Sequence, residues 1–138
     1  MRVAGAQERI RVGVIGCGGM GTEHIKTLLK MRDADSVEIT AVCDVFDKRA
    51  QAAAAMTGAR PFRDYRKVLE LKEVDYVLIA TPEHWHYRMA MDAIDAGKHI
   101  YVEKPMTQTS EQARRLVRRM AGARVKLQVG VQGMSDDS

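Results

Sequence analysis

A glycine-rich turn near the amino terminus limits the folds open to this chain more than any other segment. The apolar run Ile10–Gly16 leads directly into G-x-G-x-x-G, formed by Gly16, Gly18 and Gly21, and a helical pattern follows. A strand, a turn and a helix in this order form a phosphate-binding unit. Gly16 permits the tight turn, Gly18 lets the backbone approach a pyrophosphate, and Gly21 lets the helix pack against the strand. The amides at the helix start would then face the phosphates.

An acidic residue supports this interpretation. Asp44 follows the predicted strand Val37–Cys43 and lies 23 residues beyond Gly21. Dinucleotide-binding folds place a carboxylate about 20 residues after the glycine motif, where it accepts hydrogen bonds from the adenosine ribose. A carboxylate there repels a 2′-phosphate, which favours NAD, although Lys48 and Arg49 could neutralise that phosphate and admit NADP. The alternative is a structural turn and a surface aspartate.

Strand and helix patterns alternate along the whole chain. The predicted strands are Ile10–Gly16, Val37–Cys43, Ala59–Phe62, Val74–Ala80, His99–Val102 and Val125–Val129. The predicted helices are Met20–Met31, Asp47–Met56, a short helix capped by Asp64 that ends at Leu69, His86–Ala96 before Gly97, and an arginine-rich helix opened by Thr109 and Gln112. This alternation predicts an α/β fold: a doubly wound parallel sheet of the Rossmann type with strand order 3-2-1-4-5-6.

Length and composition favour one globular domain. The 138 residues are 46% hydrophobic and 29% charged, which is ordinary for a folded domain. We expect an extension over 1–9, the dinucleotide-binding domain over 10–132 and a frayed tail over 133–138. No apolar run approaches the ~20 residues of a membrane span, and the extension lacks the apolar core of a secretory signal. Cys17 and Cys43 form no C-x-x-C pair, so a reducing, cytoplasmic location without a membrane partner is expected.

The basic residues concentrate in one segment of the chain. The net charge is +4, and Arg114, Arg115, Arg118 and Arg119 lie at helical spacing. They form either a patch for an anionic partner or the solvated side of an amphipathic helix, and the solvated side is the favoured interpretation. No aromatic residues alternate with the arginines, so nucleic acid is not expected as a partner.

Polar residues also follow the fourth and fifth predicted strands, at the edge where such a sheet binds ligands. Segment 81–86 follows the fourth strand, with Pro82 at the first helical position. Glu103, Lys104 and Pro105 follow the fifth. Lys104 could hydrogen-bond a substrate hydroxyl or hold a nicotinamide, with Glu103 orienting it. The alternative is a surface salt bridge before a turn proline.

The histidines predict no metal site. His84 and His86 flank Trp85, but no spaced side chain supplies an obvious third ligand. We expect a helix start here, with one histidine facing the cleft. His24 and His99 are interpreted as structural.

Together these residues resemble the glucose–fructose oxidoreductase, inositol dehydrogenase and rhizopine-catabolism family (Gfo/Idh/MocA). The matching segments are 12–21, 75–82 with His86, and 96–105, whose Glu-Lys-Pro ending is the most specific. The resemblance extends from about Arg11 to Gln132. It implies an NAD(P)-dependent oxidoreductase that acts on sugars, cyclitols or related polyols.

The resemblance also implies which residues form the site. The glycine turn would bind the pyrophosphate, Asp44 the adenosine ribose, and the segment after the fourth strand the nicotinamide side, while Lys104 would contact cofactor and substrate as the catalytic residue. The implied cofactor-binding residues are Gly16, Gly18, Gly19, Met20, Gly21, Asp44, Thr81, Pro82, His86, Glu103 and Lys104.

Members of this family carry a second α/β domain that supplies most of the substrate pocket. No such domain follows in these 138 residues. We therefore expect a cofactor-binding domain that is inactive alone and whose sugar or polyol partner belongs to the full-length context; a homo-oligomer stays open. Two alternatives remain: a stand-alone dinucleotide-sensing or partner-binding module without turnover, and an NAD-dependent relative that cleaves glycosides.

Overall fold

The computed structural model describes residues 9–130. The elements in chain order are β1 (Ile10–Ile15), α1 (Gly19–Met31), β2 (Val37–Cys43), α2 (Asp47–Thr57), β3 (Arg60–Phe62), α3 (Tyr65–Leu69), β4 (Tyr76–Ile79), a 3-10 helix (Glu83–Trp85), α4 (His86–Asp95), β5 (His99–Glu103), α5 (Ser110–Ala121) and β6 (Leu127–Gly130). The predicted tail 133–138, and all of the predicted extension except Arg9, lie outside the described residues.

The six strands form one parallel sheet in the order β3-β2-β1-β4-β5-β6. This confirms the predicted doubly wound fold and strand order. At the centre, Ile15 of β1 lies opposite Cys43 of β2 on one side and Ile79 of β4 on the other. The carboxyl ends of these three strands therefore meet at one edge of the sheet.

Two hydrophobic clusters cover the two faces of the sheet. One cluster packs Val14 and Val42 against Ile25 of α1. The other packs Ile79 and Ile100 against α3, α4 and α5, with Leu116 of α5 fully buried. Because α1 and α4 lie on opposite faces, the chain leaves β1 and β4 in opposite directions, and a crevice opens between them at the carboxyl edge.

Helix ends follow the expected chemistry. The carboxylate of Asp64 accepts a hydrogen bond from Arg66 N at 2.9 Å, and the Thr109 hydroxyl accepts one from Gln112 N at 3.1 Å. Gly97 follows α4 with φ 76°, as predicted for the residue after a helix. Over residues 9–130, no helix is both long enough and apolar enough to cross a bilayer.

Three predictions were wrong by more than one residue, while the other strand bounds agree with the prediction to within one residue. β4 begins at Tyr76 rather than Val74, because the carbonyl of Val74 accepts a hydrogen bond from the buried amine of Lys98 at 2.7 Å. β6 is Leu127–Gly130 rather than Val125–Val129, since pairing with β5 starts at Leu127. Pro82 is not at the first position of α4; it precedes the short 3-10 helix that leads into it.

Candidate functional site

A cavity of about 870 Å³ lies at the carboxyl ends of β1, β2 and β4. Parallel sheets bind ligands at this edge, where the strand order reverses. The predicted site residues that line the cavity are Gly16, Gly18, Met20, Asp44, Thr81 and Pro82. The fold thus brings three separate sequence segments to one opening.

Close packing explains two glycines of the turn. Gly16 has φ 98°, and a Cβ there would lie 2.7 Å from the carbonyl oxygen of Ala80. A Cβ on Gly21 would overlap the carbonyl oxygen of Gly16. The turn therefore sits directly against the end of β4, and α1 sits directly against the turn.

Gly18 and Gly19 leave the start of α1 open instead. A Cβ on Gly18 would meet only the guanidinium of Arg49, 3.4 Å away, and a Cβ on Gly19 would meet nothing within 4 Å. The first turn of α1 carries no acidic side chain. Its amides and helix dipole are thus available to an anion, and there is room for a pyrophosphate against the backbone.

Two backbone amides hold the carboxylate of Asp44 in place. Its Oδ2 accepts a hydrogen bond from Cys17 N at 2.9 Å, and its Oδ1 accepts one from Phe46 N at 2.8 Å. Both donors are backbone amides, and each carboxylate oxygen keeps further acceptor capacity for a ribose hydroxyl. The cavity, the open helix start and this fixed carboxylate fit the diphosphate and ribose of a dinucleotide.

Aromatic and basic side chains beyond the glycine motif line the part of the cavity next to Asp44. Arg49 lies over the ring of Phe46, 5.6 Å from its centroid. Both residues line the cavity with Arg63, and among residues 9–130 neither Arg49 nor Arg63 forms an ion pair. The sequence pattern indicated Arg49 only as a partner for a 2′-phosphate and did not indicate Phe46 or Arg63.

The opposite wall of the cavity follows β4. Thr81 Oγ1 donates a hydrogen bond to Met89 Sδ at 3.5 Å, which fixes the threonine against α4. Trp85, the single tryptophan of the chain, lines the cavity and is 42% exposed. This places an intrinsic fluorophore beside the site.

Glu103 contacts α1 and does not line the cavity. It is buried, and its carboxylate accepts a hydrogen bond from His24 Nε2 of α1. Tyr101, two residues earlier on the same face of β5, packs edge-on against the His24 ring at 5.4 Å. His24, which the sequence indicated as structural, is therefore the partner of a predicted site residue.

His86 is equally enclosed. Its ring is 1% exposed, with Nδ1 2.8 Å from the carbonyl oxygen of Pro105 and Nε2 2.9 Å from that of Thr81. Both partners are acceptors, so the ring bridges the end of β4 and the segment after β5. The resemblance implied that His86 lines the nicotinamide side, but its ring does not line the cavity, because both nitrogens are directed at backbone carbonyls.

Lys104 is exposed at the end of β5, and its side chain makes no hydrogen bond or ion pair within the described part of the chain.

The two cysteines are not reactive groups of the site. Burial raises the pKa of the Cys17 thiol to about 11 and that of Cys43 to about 12. Residues 9–130 contain no cluster of three metal-ligating side chains.

The strand order and the glycine turn define a dinucleotide-binding Rossmann domain. Residues 10–131 match the family model GFO_IDH_MocA, described as an oxidoreductase family with an NAD-binding Rossmann fold. The chain belongs to this family, and its cofactor is NAD. This confirms the resemblance and the preference for NAD that the sequence indicated.

Similar proteins support the same assignment. Inositol 2-dehydrogenase 2 of Saccharopolyspora erythraea is 38% identical over 131 residues, which cover 94% of this chain and 38% of that protein. Glycosyl hydrolase family 109 protein 1 of Shewanella sp. (strain ANA-3) is 33% identical over 125 residues, covering 83% and 27%. The WlbA dehydrogenase of Bordetella pertussis, solved with NADH and UDP-GlcNAcA, superposes with a TM-score of 0.83 at 35% identity over 89% of this chain and 37% of that chain. The chain thus spans little more than a third of these proteins at most.

Proposed function

We propose that this chain is the cofactor-binding part of an oxidoreductase that transfers a hydride between nicotinamide and a sugar, cyclitol or similar polyol. The observation that carries the proposal is the single cavity that joins the glycine turn, Asp44 and Thr81. NAD supplies hydride acceptance when it is bound. The residues of this chain bind it, orient it and exclude water from one side of it.

Each wall of the cavity has its own part in binding. The amides of Gly18, Gly19 and Met20 at the start of α1 hold the pyrophosphate. Asp44, already oriented by Cys17 N, accepts hydrogen bonds from the adenosine ribose. Thr81 then borders the nicotinamide end. An extended dinucleotide would follow this path from β2 across β1 to β4.

Lys104 is the residue of this chain that we assign to the reacting end. Lys104 comes directly after β5, the strand that lies beside β4 in the sheet. From there its amine can hydrogen-bond the substrate hydroxyl. When uncharged, the amine can also accept the proton of that hydroxyl, while the hydride leaves the carbon that bears the hydroxyl. Glu103 and His86 face protein groups and contribute by holding the segment around Lys104.

The substrate class rests on relatives. One similar protein is named as an inositol dehydrogenase, and the similar solved structure holds a sugar nucleotide beside NADH. Inositol and the sugar of a sugar nucleotide both carry ring hydroxyls, the group that an NAD-dependent dehydrogenase oxidises. We propose the same class here, with turnover requiring a substrate-binding part in addition to this chain.

A chimera tests the proposal. Residues 10–130 would replace the matching segment of the S. erythraea inositol 2-dehydrogenase 2, which is similar over 131 residues. We expect inositol-dependent NADH formation that falls by about 100-fold in a Lys104→Ala version, within the range of a lost general acid–base group. A chimera that folds and binds NADH yet forms none from inositol or other polyols contradicts the proposal.

Glycoside cleavage with transient redox chemistry is the second candidate, because the family 109 glycosyl hydrolase is 33% identical. The two activities differ in the net amount of NADH that they form. A dehydrogenase accumulates one NADH per product, whereas the glycosidase returns the hydride and leaves NAD⁺ unchanged. Sugar release from an aryl glycoside without net NADH would favour the second candidate.

A further inference from the structure

The side chain of Lys104 makes no polar contact within the described residues, and yet the backbone on both sides of it is tightly held. Glu103 precedes it and is 7% exposed. Pro105 follows it, with its carbonyl oxygen 2.8 Å from His86 Nδ1. An exposed lysine between two anchored neighbours has a fixed Cα position.

The first anchor connects Lys104 to the glycine turn. Glu103 pairs with His24, and His24 belongs to α1, the helix that starts at the turn. Tyr101 packs against the same imidazole ring. The end of β5 is therefore tied to the helix whose amino terminus faces the cavity, although β4 lies between β5 and β1, the strand that leads into this helix.

The second anchor connects Lys104 to the end of β4. The ring of His86 contacts the carbonyl of Pro105 through one nitrogen and the carbonyl of Thr81 through the other. Thr81 lines the cavity. A single buried ring thus holds the segment after Lys104 against the segment that forms the cavity wall.

We propose that His24, through Glu103, and His86 are positioning residues for Lys104. They hold its backbone between α1 and the end of β4, so that this part of the chain needs no further ordering when the amine meets the nicotinamide end of the dinucleotide. This inference rests on the proposed role of Lys104 at that end. It assigns the two histidines to the site through backbone placement rather than through contact with the ligand.

Paired calorimetric titrations of the 138-residue chain with NADH and with ADP-ribose test this. ADP-ribose lacks the nicotinamide and does not report on Lys104. We expect Lys104→Ala to weaken NADH binding about tenfold, as for one lost hydrogen bond to a charged group. Its affinity for ADP-ribose should stay within twofold of that of the parent. Glu103→Gln and His86→Asn should each weaken NADH about fivefold with ADP-ribose unchanged, and adding Lys104→Ala to either should cost less than the product of the single effects.

His99→Asn is the matched control, because His99 lies at the opposite end of β5, where its Nδ1 accepts a hydrogen bond from Lys126 N. It should alter neither affinity, and the melting temperature of every variant is measured alongside. If Glu103→Gln and His86→Asn weaken both ligands equally, or neither, while Lys104→Ala affects NADH alone, positioning is refuted and the role of Lys104 stands. If Lys104→Ala leaves NADH binding unchanged, the proposed role of Lys104 fails, and the positioning inference fails with it.

Where His86→Asn does not fold, His24→Gln provides the second test. His24 is partly exposed on α1, and glutamine keeps a donor for the Glu103 carboxylate. We expect a smaller, NADH-specific loss of about twofold to threefold, as for a neutral hydrogen bond that is weakened but kept. A loss shared equally with ADP-ribose would again refute positioning.

Discussion

Replacement of Gly18 by alanine separates binding from folding at the glycine turn. Gly18 has φ −78° and ψ −152°, an extended conformation that alanine adopts. The added Cβ would meet only the flexible end of Arg49, at 3.4 Å. At Gly21 the same methyl group would overlap the carbonyl oxygen of Gly16, which is fixed backbone. One methyl thus enters the ligand's space and the other enters the protein's own.

The structure gives different magnitudes for the two variants. Alanine is a poorer N-cap than glycine by about 1 kcal/mol, and its lower freedom in the unfolded chain offsets about 0.4–1 kcal/mol. Gly18→Ala should therefore leave stability nearly unchanged. Gly21→Ala should cost about 3 kcal/mol, the upper end for overpacking against groups that cannot move, and lower the melting temperature by roughly 10 °C.

Binding should show the reverse pattern. A methyl group on Gly18 moves a pyrophosphate away from the amides of α1, and each lost hydrogen bond to a charged group is worth about 1.5–3 kcal/mol. At about 1.4 kcal/mol per factor of ten, NADH should bind roughly 10- to 100-fold more weakly. Calorimetric titration and thermal unfolding of the same samples measure both quantities. NADH affinity within twofold of the parent in Gly18→Ala would refute the placement of the pyrophosphate.

Three further predictions concern other parts of the molecule. Asp44→Asn should weaken NADH more than tenfold, since a charged acceptor is lost, and should raise the affinity for NADPH relative to NADH; an unchanged ratio in paired titrations would contradict the assigned role. Raising the pH from 9 to 12 should lower the urea midpoint of unfolding. Burial raises the folded-state pKa of Cys17 to about 11 and those of Cys43 and Tyr65 to about 12, so the stability that is present below pH 9 is lost as each group ionises in the unfolded chain. A urea midpoint that does not change with pH would contradict the burial of these groups. Thr109→Ala should cost about 1 kcal/mol by removing the cap of α5, whereas Thr109→Ser should cost little in the same urea titration.

The strand order follows from the sequence because each crossover leaves a clear local signal. The seven residues of β2 are all predicted correctly, since a run rich in β-branched residues ends at Asp44 and helical periodicity starts soon after. The boundaries that were wrong depend on distant partners. Val74 lies outside β4 because its carbonyl oxygen accepts a hydrogen bond from the amine of Lys98, 24 residues away. Such contacts are not visible in a local pattern.

The candidate site divides in the same way. The glycines, Asp44 and Thr81 can be located from spacing, because the carboxyl ends of parallel strands share one edge. The direction of a side chain at that edge cannot be predicted locally. Glu103 and Lys104 are neighbours on one strand end, yet one is buried against His24, 79 residues away, while the other is exposed. Strand alternation gives opposite faces to such neighbours, but only the fold shows which of them packs against α1.

The most direct test of the central assignment is a titration of the chain with NADH while energy transfer from Trp85 to the dihydronicotinamide is followed. Trp85 is the single tryptophan and lines the cavity, so the signal reports on this site alone. We predict saturable binding of one NADH per chain, displaced by ADP-ribose and weakened by Gly18→Ala and by Asp44→Asn. Absence of saturable transfer, or transfer that neither variant alters, would contradict a dinucleotide site at the glycine turn.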